Sequence, residues 1–182
     1  EILGVNNGMN RSGHPVNEAL SALYPTLYRL SHLDLLGLHI YDGHIRDGDF
    51  ALRKQKSDDA FAFVKEIEAL CTHEGLPEPM LIAGGSPTFT VHALRKGVYC
   101  SPGTCVLWDW GYGDLLPDQP FLHAASLMTR IISKPTEGIV TIDLGHKAVA
   151  AENPIDKRIR ILNLNGYELL SQSEEHGVLR VA

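Results

Sequence analysis

The sequence predicts an α/β protein, with part of a (β/α)8 TIM-type barrel over residues 1–114 and a mostly β second domain over residues 120–182. Short apolar runs alternate with longer amphipathic ones as far as Tyr112, the pattern of repeated βα units around a parallel sheet. Beyond Tyr112 the rhythm changes to short β-type runs separated by turn residues. Glycine-rich polar clusters follow the apolar runs, where a parallel α/β sheet places its ligands.

Ile2 to Val5 reads as a short buried strand. Asn17 to Leu33 sets Leu20, Leu23, Leu27 and Leu30 at helical spacing and predicts a helix despite Pro25. Leu35 to Tyr41 is nearly continuous apolar sequence, a buried strand that ends in Asp42-Gly43-His44. Ser57 to Thr72 carries Ala60, Val64, Ile67 and Cys71 on one stripe, with Asp58 and Asp59 suited to a first turn and Gly75 to a stop. Met80 to Ala83 is the next strand, followed by Gly84 to Thr88, a helix-sized segment to Lys96, and a strand from Cys105 to Trp110. In the second domain Leu127–Ser133, Ile139–Leu144, Arg158–Leu164 and Gly177–Val181 read as strands, and Leu115 to Pro120 as the boundary. Four βα units do not close a barrel of eight, so the chain reads as part of a larger fold.

The 182 residues carry a formal net charge of −6, with 44% hydrophobic and 21% charged residues. That balance belongs to a globular protein and argues against a nucleic-acid partner, which calls for a basic surface. No apolar stretch is long enough to span a bilayer and Glu1 to Arg11 lacks the layout of a signal peptide, so no membrane partner is expected. Cys71, Cys100 and Cys105 fit neither a disulfide framework nor a cysteine-type zinc site, which suits a cytoplasmic protein.

Four clusters carry the chemistry. In Gly8-Met9-Asn10-Arg11-Ser12-Gly13, Arg11 is either a fixed cation for an anionic oxygen or a surface salt-bridge partner. In Tyr41-Asp42-Gly43-His44, a ring that can stack on a planar ligand stands beside an imidazole that can move protons near neutral pH. Gly84-Gly85-Ser86-Pro87-Thr88 supplies bare amides, hydroxyls and a helix start, the means of holding a phosphate without a lysine, or else is a plain turn. Ser101-Pro102-Gly103-Thr104 adds amides and a hydroxyl to the same phosphate, or is a Pro-Gly turn. His39 and His44 do not have a helical metal-ligand spacing. Taken in order along successive units, the clusters suggest one site for a flat, phosphorylated ligand.

At these residues the sequence resembles the fold-type III pyridoxal-phosphate enzymes, within them the D-threonine aldolase and D-serine dehydratase family, relatives of the alanine racemase barrel. The resemblance runs over nearly the whole chain. It implies contact of Arg11 with the phenolic oxygen of pyridoxal 5'-phosphate, and a place for Tyr41 and His44 at the cofactor ring. It implies a phosphate cup from Gly84, Gly85, Ser86 and Thr88, completed by Gly103 and Thr104. Ser101 and Cys105 stand where the family carries arginine and tyrosine. Asp143 to Ala148 and Ser173 to Gly177 are similar to motifs of the family's β domain.

The family's cofactor lysine lies in a motif ahead of anything present here. Its pair of ligands for a divalent ion, manganese or zinc, is expected beyond Ala182, with His176, Glu174 and Glu175 either close behind those ligands or part of an exposed turn. Lys147 reads as a solvated charge in a β-domain turn. The resemblance thus implies the carboxyl-terminal portion of a homodimeric lyase acting on small D-β-hydroxy amino acids, by aldol cleavage or by dehydration or racemisation. Two rival readings stand beside it. One is a non-catalytic module that binds pyridoxal phosphate or another phosphorylated compound, and the other a metal hydrolase using His39, His44 and His176.

Overall fold

The computed structural model describes all of residues 1–182, which divide into two compact units, Glu1–Ala124 and Ala125–Ala182. The first unit holds strands β1 (Ile2–Asn6), β2 (His14–Pro15), β3 (Gly37–Ile40), β4 (Met80–Ala83) and β5 (Val98–Cys100) in one parallel sheet, ordered β2-β1-β3-β4-β5. Parallel neighbours need a crossover, and helices α1 (Glu18–Tyr28), α2 (Phe50–Phe61), α3 (Val64–His73) and α4 (Phe89–His92) lie in those connections. A short α5 (Trp110–Leu115) follows the sheet.

The core of this unit joins the sheet to the apolar stripes of α1 and α3. Val5, Leu38, Ile40, Leu81 and Ala83 from the strands meet Leu20 and Tyr24 of α1 and Val64, Ile67 and Cys71 of α3. Asn17 caps α1 by accepting from the Ala19 amide, and the helix runs through Pro25 to end at Tyr28, short of the expected Leu33.

The helix expected over Ser57–Thr72 is two helices. Asp49 caps α2 by accepting from the Leu52 amide, so the helical segment begins well before Ser57 and Asp58 and Asp59 sit in its last turn. The apolar stripe is real but belongs mostly to α3. The strand expected over Cys105–Trp110 is absent. The fifth strand is Val98–Cys100, and Thr104–Val106 forms a single 3-10 turn. Ser101 to Thr104 therefore lies at the carboxyl end of a strand instead of leading into one.

The second unit is an antiparallel sheet of β6 (Ile131–Thr136), β7 (Ile139–Ile142), β8 (Tyr167–Gln172) and β9 (Gly177–Val181), ordered β6-β7-β9-β8. Val140, Ile142, Leu144, Leu169 and Leu179 form its core. Arg158–Leu164, expected as a strand, is irregular chain whose Ile159 and Ile161 pack on that core, while β8 has no counterpart in the sequence reading. Asp143, just after β7, accepts from the Arg130 amide at 2.7 Å, the Thr129 hydroxyl at 2.8 Å and the Arg130 guanidinium at 3.1 Å. These donors pull its carboxyl from 3.8 to about 2. No helix of the structure is long and apolar enough to cross a membrane.

Two stability measurements check this architecture. Leu38, fully buried on β3, costs about 2–5 kcal/mol when cut to alanine, whereas the same change at exposed Leu94 stays within about 0.5 kcal/mol, both read by urea unfolding. Because the folded state holds Asp143 ionised below its ordinary range, its contribution is complete above about pH 4 and is lost as the pH falls towards 2. Asp143→Asn therefore flattens the acid limb of the unfolding curve.

Candidate functional site

The parallel sheet brings the four clusters to one edge, since each follows the carboxyl end of β1, β3, β4 or β5. Two side-chain bonds tie the last two clusters together. Ser101 Oγ donates to the Gly84 carbonyl at 3.0 Å, and the Thr104 amide donates to Ser86 Oγ at 3.1 Å. The carbonyls of Ser86 and Pro87 are taken by the side-chain amide of buried Gln119, at 3.0 and 3.1 Å. The amides of Ser86 and Gly103 have no acceptor within the chain. A Cβ built on Gly103 would meet only open space. Two free amides and the Ser86 hydroxyl thus form a donor set for an oxyanion.

Beside it lies a shallow depression lined by Met9, Arg11, Ser12, Gly13, His39 and Tyr41. The Arg11 guanidinium sits 4.6 Å over the Tyr41 ring, and His39 stacks beneath that ring at 6.5 Å. His39 Nε2 also lies 3.3 Å from Ser101 Oγ, which links the depression to the paired loops. Tyr41 stands close to the glycine turn: a Cβ on Gly85 would lie 2.8 Å from its ring, so a larger residue there would displace the ring. Exposed His44 packs over Gly8 of the first loop. Arg11, Tyr41, Gly84, Gly85, Ser86, Gly103 and Thr104 are therefore brought together, with His44 at the margin.

Thr88 differs from its expected role. Its side chain is fully buried and turned inward, donating to Asp42 and accepting from the Gly85 amide at 3.3 Å, so its hydroxyl is not offered to a ligand. The helix start expected to assist there is α4, a single turn of four residues, too short to add a useful dipole. Thr104 contributes by its backbone, whose amide orients Ser86.

Sequence reasoning missed the buried network behind the glycine turn. Asp42, Ser57, Thr88 and His92 have almost no exposed surface. Arg95 donates to His92 Nδ1 at 2.6 Å, which leaves the ring proton on Nε2, and Nε2 lies 2.8 Å from the Asp42 carboxylate. Ser57 Oγ adds a bond to the same carboxylate at 3.2 Å. Burial works to raise the Asp42 pKa, but the bonds from His92, Thr88 and Ser57 outweigh it and hold the carboxyl below its ordinary range. Arg53 is also fully buried, paired with Asp118 next to Gln119 and donating to the Asp47 carbonyl at 2.6 Å. Its signal in the sequence was weak, an arginine inside a polar helical stretch.

In the second unit the Ser173 amide donates to the His176 carbonyl at 2.9 Å, closing an exposed turn, and Lys147 pairs with Glu174 and Glu175 at 2.7 and 2.9 Å. No three histidine, cysteine, aspartate or glutamate side chains gather to hold a metal ion.

Residues 124–182 match the family model described as a putative serine dehydratase domain. The 3-hydroxy-D-aspartate aldolase of Paracoccus denitrificans (strain Pd 1222) is 24% identical over 182 residues, covering 94% of this chain and 46% of the relative. The D-threonine aldolase of Filomicrobium marinum superposes with a TM-score of 0.82 at 25% identity, covering 99% of this chain and 49% of that one. The D-threo-3-hydroxyaspartate dehydratase of Delftia sp. HT23 shares the fold, with a TM-score of 0.73 at 18% identity over 98% of this chain and 51% of that one. The chain thus spans about half the length of the relatives it matches. By sequence and fold the chain is thus similar to the D-threonine aldolase and to the 3-hydroxyaspartate aldolase and dehydratase, and over residues 124–182 to the serine dehydratase domain model.

Proposed function

We propose that this chain supplies the phosphate-gripping and ring-flanking side of a pyridoxal-phosphate site, in a lyase acting on small D-β-hydroxy amino acids. The five parallel strands then form a segment of an alanine racemase-type barrel, working as a homodimer. Retro-aldol cleavage to glycine and an aldehyde is the first choice of reaction, and dehydration the second. The observation that carries the reading is the pairing of the Gly84–Thr88 and Ser101–Thr104 loops, with free amides on Ser86 and Gly103, beside the Arg11–Tyr41 pair.

The residues fit the group. A phosphate needs several short donors and open space in front of them, which the Ser86 hydroxyl, the two amides and the uncovered face of Gly103 offer. Arg11 is a permanently charged donor for the phenolic oxygen, steadied by the face of Tyr41. Tyr41 would flank the cofactor ring, with His39 stacked against Tyr41. His44, at the exposed margin, is placed to carry protons between solvent and the site. When bound, pyridoxal phosphate supplies an electron sink for breaking a bond at the substrate's Cα or Cβ. The side chains here form no cage for a divalent ion, and no step is assigned to one.

One observation favours a second reading, a reversible binder of pyridoxal phosphate. In the first unit the lysines, Lys54 and Lys56 on α2, Lys65 on α3 and Lys96 just ahead of β5, all fall outside the four strand-end clusters.

The test is the absorption spectrum with added pyridoxal phosphate, followed by borohydride and intact mass, and by assay of D-threonine and D-3-hydroxyaspartate with manganese present. Tighter binding of pyridoxal phosphate than of pyridoxal is expected, with a loss of about tenfold in Arg11→Ala and in Ser86→Ala. Equal binding of the two compounds, or variants that bind as well as the parent, would overturn the site. A borohydride-fixed mass increase together with turnover favours the lyase. Dialysable cofactor without turnover favours the binder.

A further inference from the structure

We propose that Asp42 and Thr88 are positioning residues that set the phosphate grip from behind the Gly84–Gly85–Ser86 turn. The inference rests on the pyridoxal-phosphate reading of the site and deepens it. Neither side chain faces the depression or the open side of Gly103, and both are fully buried. Asp42 follows Tyr41 directly, so β3 fixes the ring-flanking side chain and the buried carboxylate in one step.

Thr88 is the link between that carboxylate and the turn. Its hydroxyl has one proton and two acceptor positions. The proton goes to Asp42 Oδ1, and one acceptor position receives the Gly85 amide at 3.3 Å. The Gly85 carbonyl in turn accepts the amides of Thr88 and Phe89, at 3.1 and 2.9 Å. Gly85 is thus held at both its N–H and its C=O, and the next amide along, that of Ser86, is one of the two left free. Gly84 keeps the turn tight: its φ is +84° and a Cβ there would lie 2.8 Å from the His92 ring, itself bound to the same Asp42 carboxylate. If the Asp42–Thr88 bond is removed, the Gly85 peptide loses its reference to the core and the Ser86 amide loses its direction.

The network contains its own control. Ser57 donates to the same carboxylate from α2 and touches neither the turn nor the loops. Ser57→Ala therefore disturbs the buried charge without disturbing the grip.

The experiment compares pyridoxal phosphate with pyridoxal by equilibrium dialysis for the parent, Thr88→Val, Thr88→Ser, Asp42→Asn and Ser57→Ala, with thermal unfolding of each. The preference for the phosphorylated compound is expected to fall about tenfold or more in Thr88→Val, which keeps the shape and loses the hydroxyl, and to fall also in Asp42→Asn. Thr88→Ser restores the preference. Ser57→Ala lowers the unfolding temperature and leaves the preference intact. If Thr88→Val keeps the parent's preference, or Ser57→Ala loses it equally, the inference is wrong while the site reading stands. If the parent shows no preference, the phosphate reading fails and this inference fails with it. Should Thr88→Val not fold, Thr88→Ala takes its place: it too loses the hydroxyl that joins Gly85 to Asp42, and a preference kept as well in Thr88→Ala as in Ser57→Ala at matched stability overturns the proposal.

Discussion

A carboxylate buried without partners would be among the most costly groups a fold could hold, and Asp42 is buried completely. What makes it tolerable is a ring of donors from different parts of the chain: Thr88 and His92 around α4, and Ser57 from α2. Each donor is also anchored elsewhere. His92 is held by Arg95, which reaches Asp58 at 2.5 Å and lies over the Phe61 ring, and Phe61 meets His92 edge-on. The requirement to satisfy one charge therefore fixes the spacing of the β3 end, α2 and the turn after β4. The glycine turn inherits its shape from that requirement.

The parallel sheet makes the arrangement possible. Adjacent strands β3, β4 and β5 end side by side, so a hydrogen-bonded register that pairs Ile40 with Ala83 and Ala83 with Cys100 also aligns the loops that follow. Ser101 then reaches the Gly84 carbonyl and Thr104 reaches Ser86 without a long excursion of the backbone. Gln119 closes the back by taking the two carbonyls of Ser86 and Pro87. With its carbonyls occupied, the turn keeps one amide free, that of Ser86, which is the polarity an anion needs.

Much of this was legible because glycine and proline mark the loops and apolar runs mark the strands. Ile2–Val5, Met80–Ala83 and Gly177–Val181 were read almost to the residue. The strand placed at Cys105–Trp110 was misread because Cys-Val-Leu-Trp is apolar and β-prone, whereas the true strand, Val98–Cys100, has three residues and too short a pattern to recognise. The join between α2 and α3 was invisible because the stripe from Ala60 to Cys71 continues across it. The buried network was harder still. Asp42 beside Gly43 looks like an ordinary turn pair, and Arg53 looks like a surface residue of a polar helix. Ser57 and His92 lie 15 and 50 positions from Asp42, and Asp118 lies 65 from Arg53, so only the folded arrangement shows that they meet.

In the proposed site, the same arrangement allows the binding groups to be few. A loop that must be ordered by its ligand spends part of the interaction energy on that ordering, and a site held in place beforehand does not. Here the Ser86 amide and hydroxyl stand on a short turn pinned by buried Thr88 and Gln119, and Tyr41 adjoins buried Asp42, whereas Arg11 stands on an exposed loop. The pinning bonds lie out of water, where an amide or hydroxyl left unpaired is costly, so the turn has little freedom to relax into a geometry that binds less well. Rigidity at the glycine turn is thus a consequence of polar groups satisfied in the interior, and not of the glycines themselves, which taken alone would make the segment one of the most pliable in the chain.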